Sequence, residues 1–234
     1  MALIHDKTLR GNSKLGWLDS YHTFSFGGFH DPSRMGHGAL RVLNEDFVIP
    51  GAGFAKHGHE EMDILTYVIS GALRHEDSIG NSSVIHAGDF QHMYAGTGVV
   101  HSEMNASQNE AVHFLQIWII PEHKGGAPDY FQAPVKYEAA QNSFLPIGGP
   151  DQDEQRVTLR SDTWVYLARL DGNTTVQKNF APDRAGFLHI VDGMVEIDGH
   201  RLSAGDGLQF NEISKLSVTA RSEAELLLFD LASG

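Results

Sequence analysis

Two short triplets hold most of the chemistry that this 234-residue chain can offer: His57-Gly58-His59 and His101-Ser102-Glu103. Residues two apart on a β-strand point to the same face. On strands, each triplet therefore presents two metal-capable side chains next to one another. Two such strands facing across a barrel interior would bring three imidazoles and one carboxylate to a point. His57, His59, His101 and Glu103 are thus the predicted ligands of one divalent metal ion. A six-coordinate ion held by four protein atoms keeps two positions open for water, substrate or dioxygen. Open positions mark a catalytic rather than a structural metal, and the set is close to the two-histidine, one-carboxylate oxygenase site.

Composition narrows the donors. The chain has no cysteine, which excludes disulfides, thiolate metal sites and a cysteine nucleophile. Imidazole and carboxylate remain, a donor set that suits iron, nickel, manganese, copper or zinc. A formal charge of −13 argues against nucleic acid as a direct partner, because phosphate binding needs a basic surface. No apolar run approaches the length of a membrane-spanning helix. The first residues lack the apolar stretch of a signal peptide, so a cytoplasmic location is expected.

The elements that must position the triplets read as strands. Ala39–Leu43, Ile64–Ile69, Val112–Ile120, Trp164–Leu170, Phe187–Val191, Met194–Ile197, Leu216–Thr219 and Glu225–Leu231 are short, rich in aliphatic and aromatic residues, and bounded by turn residues. Long helical periodicity is absent, which predicts an all-β fold. The chain also repeats itself. Val68-Ile69-Ser70-Gly71 followed by Ala87-Gly88-Asp89 has a counterpart in Val191-Asp192-Gly193 followed by Ala204-Gly205-Asp206. Two similar antiparallel β-barrel modules of the jelly-roll type are expected. Their predicted limits are residues 1–122 and 146–234, joined by a connector over 123–145 that contains Gly125-Gly126-Ala127-Pro128.

The glycines around the triplets carry a family resemblance. Gly51, His57, His59 and Gly71, then Gly98, His101 and Asn105, resemble the two motifs of the cupin superfamily, with Asp63 at the first motif's acidic position. Gly16-Trp17-Leu18-Asp19-Ser20, Thr23-Phe24-Ser25-Phe26, Leu40-Arg41-Val42-Leu43-Asn44 and Gly96-Thr97-Gly98-Val99-Val100-His101-Ser102-Glu103 are similar to the pirin family. The likeness is dense over residues 16–121 and looser beyond, and is close to the bacterial pirin-like quercetin 2,3-dioxygenases. It implies a bicupin in which only the N-terminal barrel holds metal, through His57, His59, His101 and Glu103. Iron(II) is the expected metal, with nickel, zinc, manganese, copper or cobalt as alternatives.

The resemblance further implies an enzyme that opens the central ring of a flavonol with dioxygen and releases carbon monoxide. There the metal would bind the substrate's deprotonated 3-hydroxyl. Glu103 is the expected proton acceptor, since its carboxylate can swing between ligand and base. The alternative is a non-enzymatic metal- or redox-sensing regulator that binds a protein partner.

Flanking residues complete the expectations. Asp63 shares strand parity with the first triplet and is a candidate for a hydrogen bond to a ligand histidine. His113 reads as a satisfied core histidine. Phe24, Phe26, Met35 and Tyr67 could line an apolar mouth. His22, His30 and His37 have no evident role. Setting Gly193 against Gly71 puts Asn179 and Ala181 opposite His57 and His59, so the second module should be metal-free, with His189 packed or on the surface.

Overall fold

The computed structural model describes residues 2–233 and is built almost wholly of strands, arranged as two compact units. One unit comprises residues 11–36 and 40–135, the other residues 1–10, 37–39 and 136–234. Each contains a seven-stranded and a four-stranded sheet, antiparallel apart from one short parallel pair in the second unit.

In the first unit the large sheet runs in the order Asp129–Pro134, Asp89–Tyr94, Asp63–Ser70, Val112–Ile119, Leu40–Val48, Leu18–His22, Gly11–Lys14. The small sheet runs Gly53–His59, Val99–Asn105, Ala72–Asp77, Ser82–His86. Leu73 and Ile85 of the small sheet pack against Val48, Val68, Val112 and Phe114 of the large one, so this core lies between the two sheets. Such burial contributes about 1.5–3 kcal/mol per large apolar side chain. The central strand Val112–Ile119 is buried along nearly its whole length, which explains why it reads in the sequence as a mostly apolar run interrupted by His113 and Gln116.

The second unit repeats this plan. Its large sheet runs Ala2–His5, Gly207–Asn211, Arg184–Asp192, Ala224–Ala232, Thr163–Leu170, Leu145–Gly149, Val157–Thr158. Its small sheet runs Thr175–Asn179, Lys215–Ala220, Met194–Ile197, His200–Ser203. The repeated turn glycines are matched in conformation: Gly71 has φ +78° and Gly193 φ +80°. A side chain at Gly71 would collide with the backbone at Ala111, and one at Gly193 with that at Glu223, besides being strained by the positive φ.

The unit limits differ from those read in the sequence. Residues 2–5 pair with Gly207–Asn211 and so belong to the second unit's sheet, although the expected first module began at residue 1. This strand is four residues long with three of them exposed, too short and too uniform to show the alternation of a half-buried strand. The expected connector over 123–145 holds a strand, Asp129–Pro134, that pairs with Asp89–Tyr94 and extends the first unit's large sheet. Its glycine- and proline-rich approach concealed it.

Candidate metal centre

Both triplets lie on the small sheet of the first unit, on adjacent antiparallel strands with His101 directly opposite His57. The register shifts between His101 and Glu103: two residues of Val99–Asn105 span three of Gly53–His59, from His57 to Phe54. A bulge of this kind turns the strand locally and re-aims its side chains. The next strand brings two more polar residues to the same place, since Asp77 sits opposite His101 and His75 opposite Glu103.

One donor atom each of His57, His59 and His101 lies within 4.8 Å of the others. His57 donates Nδ1–H to the Ala55 carbonyl at 2.8 Å, which leaves its Nε2 lone pair free. That Nε2 stands 3.1 Å from Nε2 of His101. Two imidazole nitrogens at this distance need a proton or a cation between them. Burial first, then the neighbouring imidazoles, lowers the pKa of His59 to about 4 and that of His101 to about 3. Both rings are therefore neutral at physiological pH, the state in which imidazole ligates metal. This arrangement fits a divalent transition ion.

Glu103 is buried and belongs to a second such cluster with His75 and His101. Its carboxylate is held from the large sheet. Gln116 Nε2 donates to Oε1 at 3.1 Å and to Oε2 at 2.9 Å, and the Thr66 hydroxyl reaches Oε1 at 3.3 Å. Glu103 is thus oriented by two strands of the opposite sheet.

A cavity of about 300 Å³ opens beside His57, His59 and Glu103, at the lower end of the range usual for small-molecule sites. Leu15, Leu18, Phe26, Phe54 and Trp118 form its apolar walls; Ser13, Ser20, His22, Asn44, Asp46 and Gln116 supply polar groups. His22 donates Nδ1–H to Asn44 Oδ1 at 2.9 Å and accepts from Ser13 at Nε2 at 2.8 Å. The Ser20 hydroxyl donates to Asp46. Burial, reinforced by the negative charges of Glu103 and Glu45, raises the Asp46 pKa to about 7 despite that bond. A protonated or deprotonated carboxyl at this position can donate or accept a hydrogen bond.

Several expectations fall elsewhere. Asp63 is fully buried, and its Oδ1 accepts from Nε2 of His92 at 2.7 Å, so the hydrogen bond that the sequence suggested to a ligand histidine goes to a different imidazole. The residues of its own strand face two neighbours in the large sheet, and Leu65 stands opposite His92. His113 is satisfied by Glu45 at 2.9 Å and stacks on Phe47, half-buried and away from the cavity. Phe26 lines the cavity, whereas Phe24 and Tyr67 are core and Met35 is exposed. His37 donates to the Phe210 carbonyl within the second unit, and His189 is buried there. His75, Asp46, Gln116 and Trp118 were not singled out in the sequence.

A family model described as Pirin matches residues 5–119, and one described as Quercetinase C-terminal cupin domain matches residues 147–231. Quercetin 2,3-dioxygenase of Escherichia coli K12 is 42% identical over 231 residues, 99% of each chain. A pirin-like protein of Caulobacter vibrioides is 39% identical over 223 residues, 95% of this chain and 96% of its own. Among solved structures, the bacterial pirin YhhW of Escherichia coli in complex with nickel(II) superposes with a TM-score of 0.95 at 39% identity, covering 100% of both chains.

Proposed function

This chain belongs to the pirin family, and from that premise we propose that it is a flavonol-cleaving, quercetinase-type dioxygenase dependent on a divalent metal held by His57, His59, His101 and Glu103. One observation carries this reading: the metal-capable cluster of His57, His59 and His101 shares His57 and His59 with an apolar, aromatic-walled cavity, which Glu103, clustered with His101, also lines. The nickel complex of the YhhW relative and the curated name of the Escherichia coli relative support it.

A bound iron(II), nickel(II) or similar ion supplies Lewis acidity and access to dioxygen. The chain's own residues do the rest. Phe26, Phe54 and Trp118 offer apolar surface to a flat ring system and exclude water from it. The Trp118 indole N–H is buried and has no hydrogen-bond partner among the described residues. Glu103, with its carboxylate held by Gln116, accepts the proton of the substrate's 3-hydroxyl. Asp46, poised near neutrality, lies on the same cavity wall as a second proton-exchanging group.

The test is oxygen uptake and carbon monoxide release with a panel of flavonols, on protein loaded in turn with iron(II), nickel(II), manganese(II), cobalt(II), copper(II) or zinc(II). Quercetin should be consumed, and a flavone without the 3-hydroxyl should be inert. Equal turnover of the two would remove the role given to that hydroxyl. Absence of quercetin turnover with every metal would favour a regulatory protein over an enzyme.

A further inference from the structure

Behind the candidate metal centre lies a pair of side chains that nothing so far explains. His75 and Asp77 are both fully buried at their side chains, and His75 Nε2 stands 3.0 Å from Asp77 Oδ2. Asp77 also accepts from the backbone N–H of Ile79 and Asn81 and from the Asn81 side-chain amide. A carboxylate filled with donors in this way is an acceptor only. The hydrogen between it and His75 therefore belongs to the imidazole, at Nε2. Nδ1 of His75 is then a bare lone pair, and it is buried with no hydrogen-bond partner among the described residues.

His101 has the complementary deficit. If its Nε2, the atom 3.1 Å from His57, ligates a cation, its hydrogen must sit on Nδ1. That Nδ1 is also buried and without a hydrogen-bond partner among the described residues. An unmet buried polar group costs stability. Here an orphaned acceptor and an orphaned donor belong to neighbouring rings whose centroids are 5.2 Å apart. The two residues lie diagonally across a strand pair on one face, with His101 opposite Asp77 and Glu103 opposite His75. The Tyr130 ring packs on the other side of His75, with centroids 4.9 Å apart.

We propose that His75 is the positioning residue for His101: its Nδ1 accepts the Nδ1–H of His101 in the metal-loaded protein, completing an Asp77–His75–His101 chain of hydrogen bonds behind the metal. This rests on the reading of His101 as a ligand. The chain of bonds fixes which nitrogen of His101 faces the metal and raises its basicity, as outer partners of ligand histidines do.

The experiment measures Ni(II) and Zn(II) dissociation constants by chelator competition for wild type, His75→Phe, His75→Leu, His75→Asn and His101→Ala, with the visible spectrum of the Co(II)-loaded proteins. Circular dichroism and the melting temperature of each metal-free variant report folding, and His75→Leu substitutes for His75→Phe if the larger ring does not fit. Removing the acceptor should weaken metal binding by roughly 10–100-fold and alter the Co(II) bands. His75→Asn keeps an acceptor oxygen near the Nδ1 position and should recover most of the affinity and the wild-type spectrum. Wild-type affinity and spectrum in a folded His75→Phe or His75→Leu protein would overturn the proposal, as would an affinity loss that His75→Asn does not rescue. His101→Ala separates the two ideas. If it binds metal like wild type, the ligand assignment itself falls and this inference with it. If it loses the metal while His75→Phe keeps it, only the His75 relay fails.

Discussion

The two small sheets of this protein share one strand order and carry opposite interiors. In the first unit, Leu73 stands two residues beyond the turn at Gly71 and opposite Asn105; in the second, Val195 stands two residues beyond Gly193 and opposite Ala220. Setting these pairs together brings His75 onto Ile197, Glu103 onto Val218 and His101 onto Leu216. Ile197, Leu216 and Val218 are buried in the second unit's apolar core together with Val176, Leu202 and Ala220. The same backbone thus closes in one unit over aliphatic side chains and in the other around imidazoles and carboxylates. Buried polar groups cost stability unless paired. The first unit offsets that cost with bonds such as Gln116–Glu103 and His75–Asp77. Its architecture is that of a core given over to chemistry, while its twin remains a core.

The contrast can be broken most sharply by emptying equivalent positions. His101→Ala should reduce metal affinity by more than the about 10–100-fold that accompanies loss of an outer partner, read by chelator competition. Its counterpart Leu216→Ala should leave metal content unchanged and instead cost about 2–5 kcal/mol of stability, read by denaturant unfolding. Metal loss in Leu216→Ala, with the fold intact, would contradict the division between the units.

Glu103→Gln sharpens the account within the first unit. The variant keeps size and an oxygen donor but loses basicity. If Glu103 takes the proton, metal should stay largely bound while quercetin turnover falls by about 100-fold. Full turnover in a metal-replete variant would end that role; a parallel loss of metal and activity, restored by excess metal, would reduce Glu103 to an anchor.

A further effect concerns pH. The Asp46 carboxyl titrates near 3.8 when exposed and at about 7 in the folded, metal-free protein. Between these values the folded state binds more protons, so this group makes stability fall as pH rises. Asp46→Asn removes the titration. Its stability relative to wild type should therefore rise by up to about 1.4 kcal/mol per pH unit between pH 4 and 7, and level off above. Denaturation of both metal-free proteins across that range measures it, and a flat difference would show that burial does not hold the proton on Asp46.

What could be read beforehand follows the same physics. Histidine and glutamate two apart on a strand announce a shared face, so the clustering of His57, His59 and His101, and of His101 with Glu103, was legible, as were the apolar strands and the repeat at Gly71 and Gly193. The bulge between His57 and Phe54 was not, because a register shift leaves no mark in a strand's composition. Arg74-His75-Glu76-Asp77 reads as an exposed charged run, yet alternation hides His75 and Asp77 while Arg74 and Glu76 stay in solvent. Asp46, Gln116 and Trp118 lie on strands buried on both faces, where sequence cannot tell the cavity side from the core side. Asp63 misled because strand parity was carried across the turn between Gly53–His59 and Asp63–Ser70, which belong to different sheets.

Whether one catalytic metal resides in the first unit alone is read from metal per chain and quercetin turnover, measured on the same samples of wild type, His57→Ala and His189→Ala. Wild type and His189→Ala should carry close to one ion per chain and turn over quercetin equally, and His57→Ala should lose both. Retention of metal and turnover in His57→Ala, or their loss in a folded His189→Ala protein, would contradict that location.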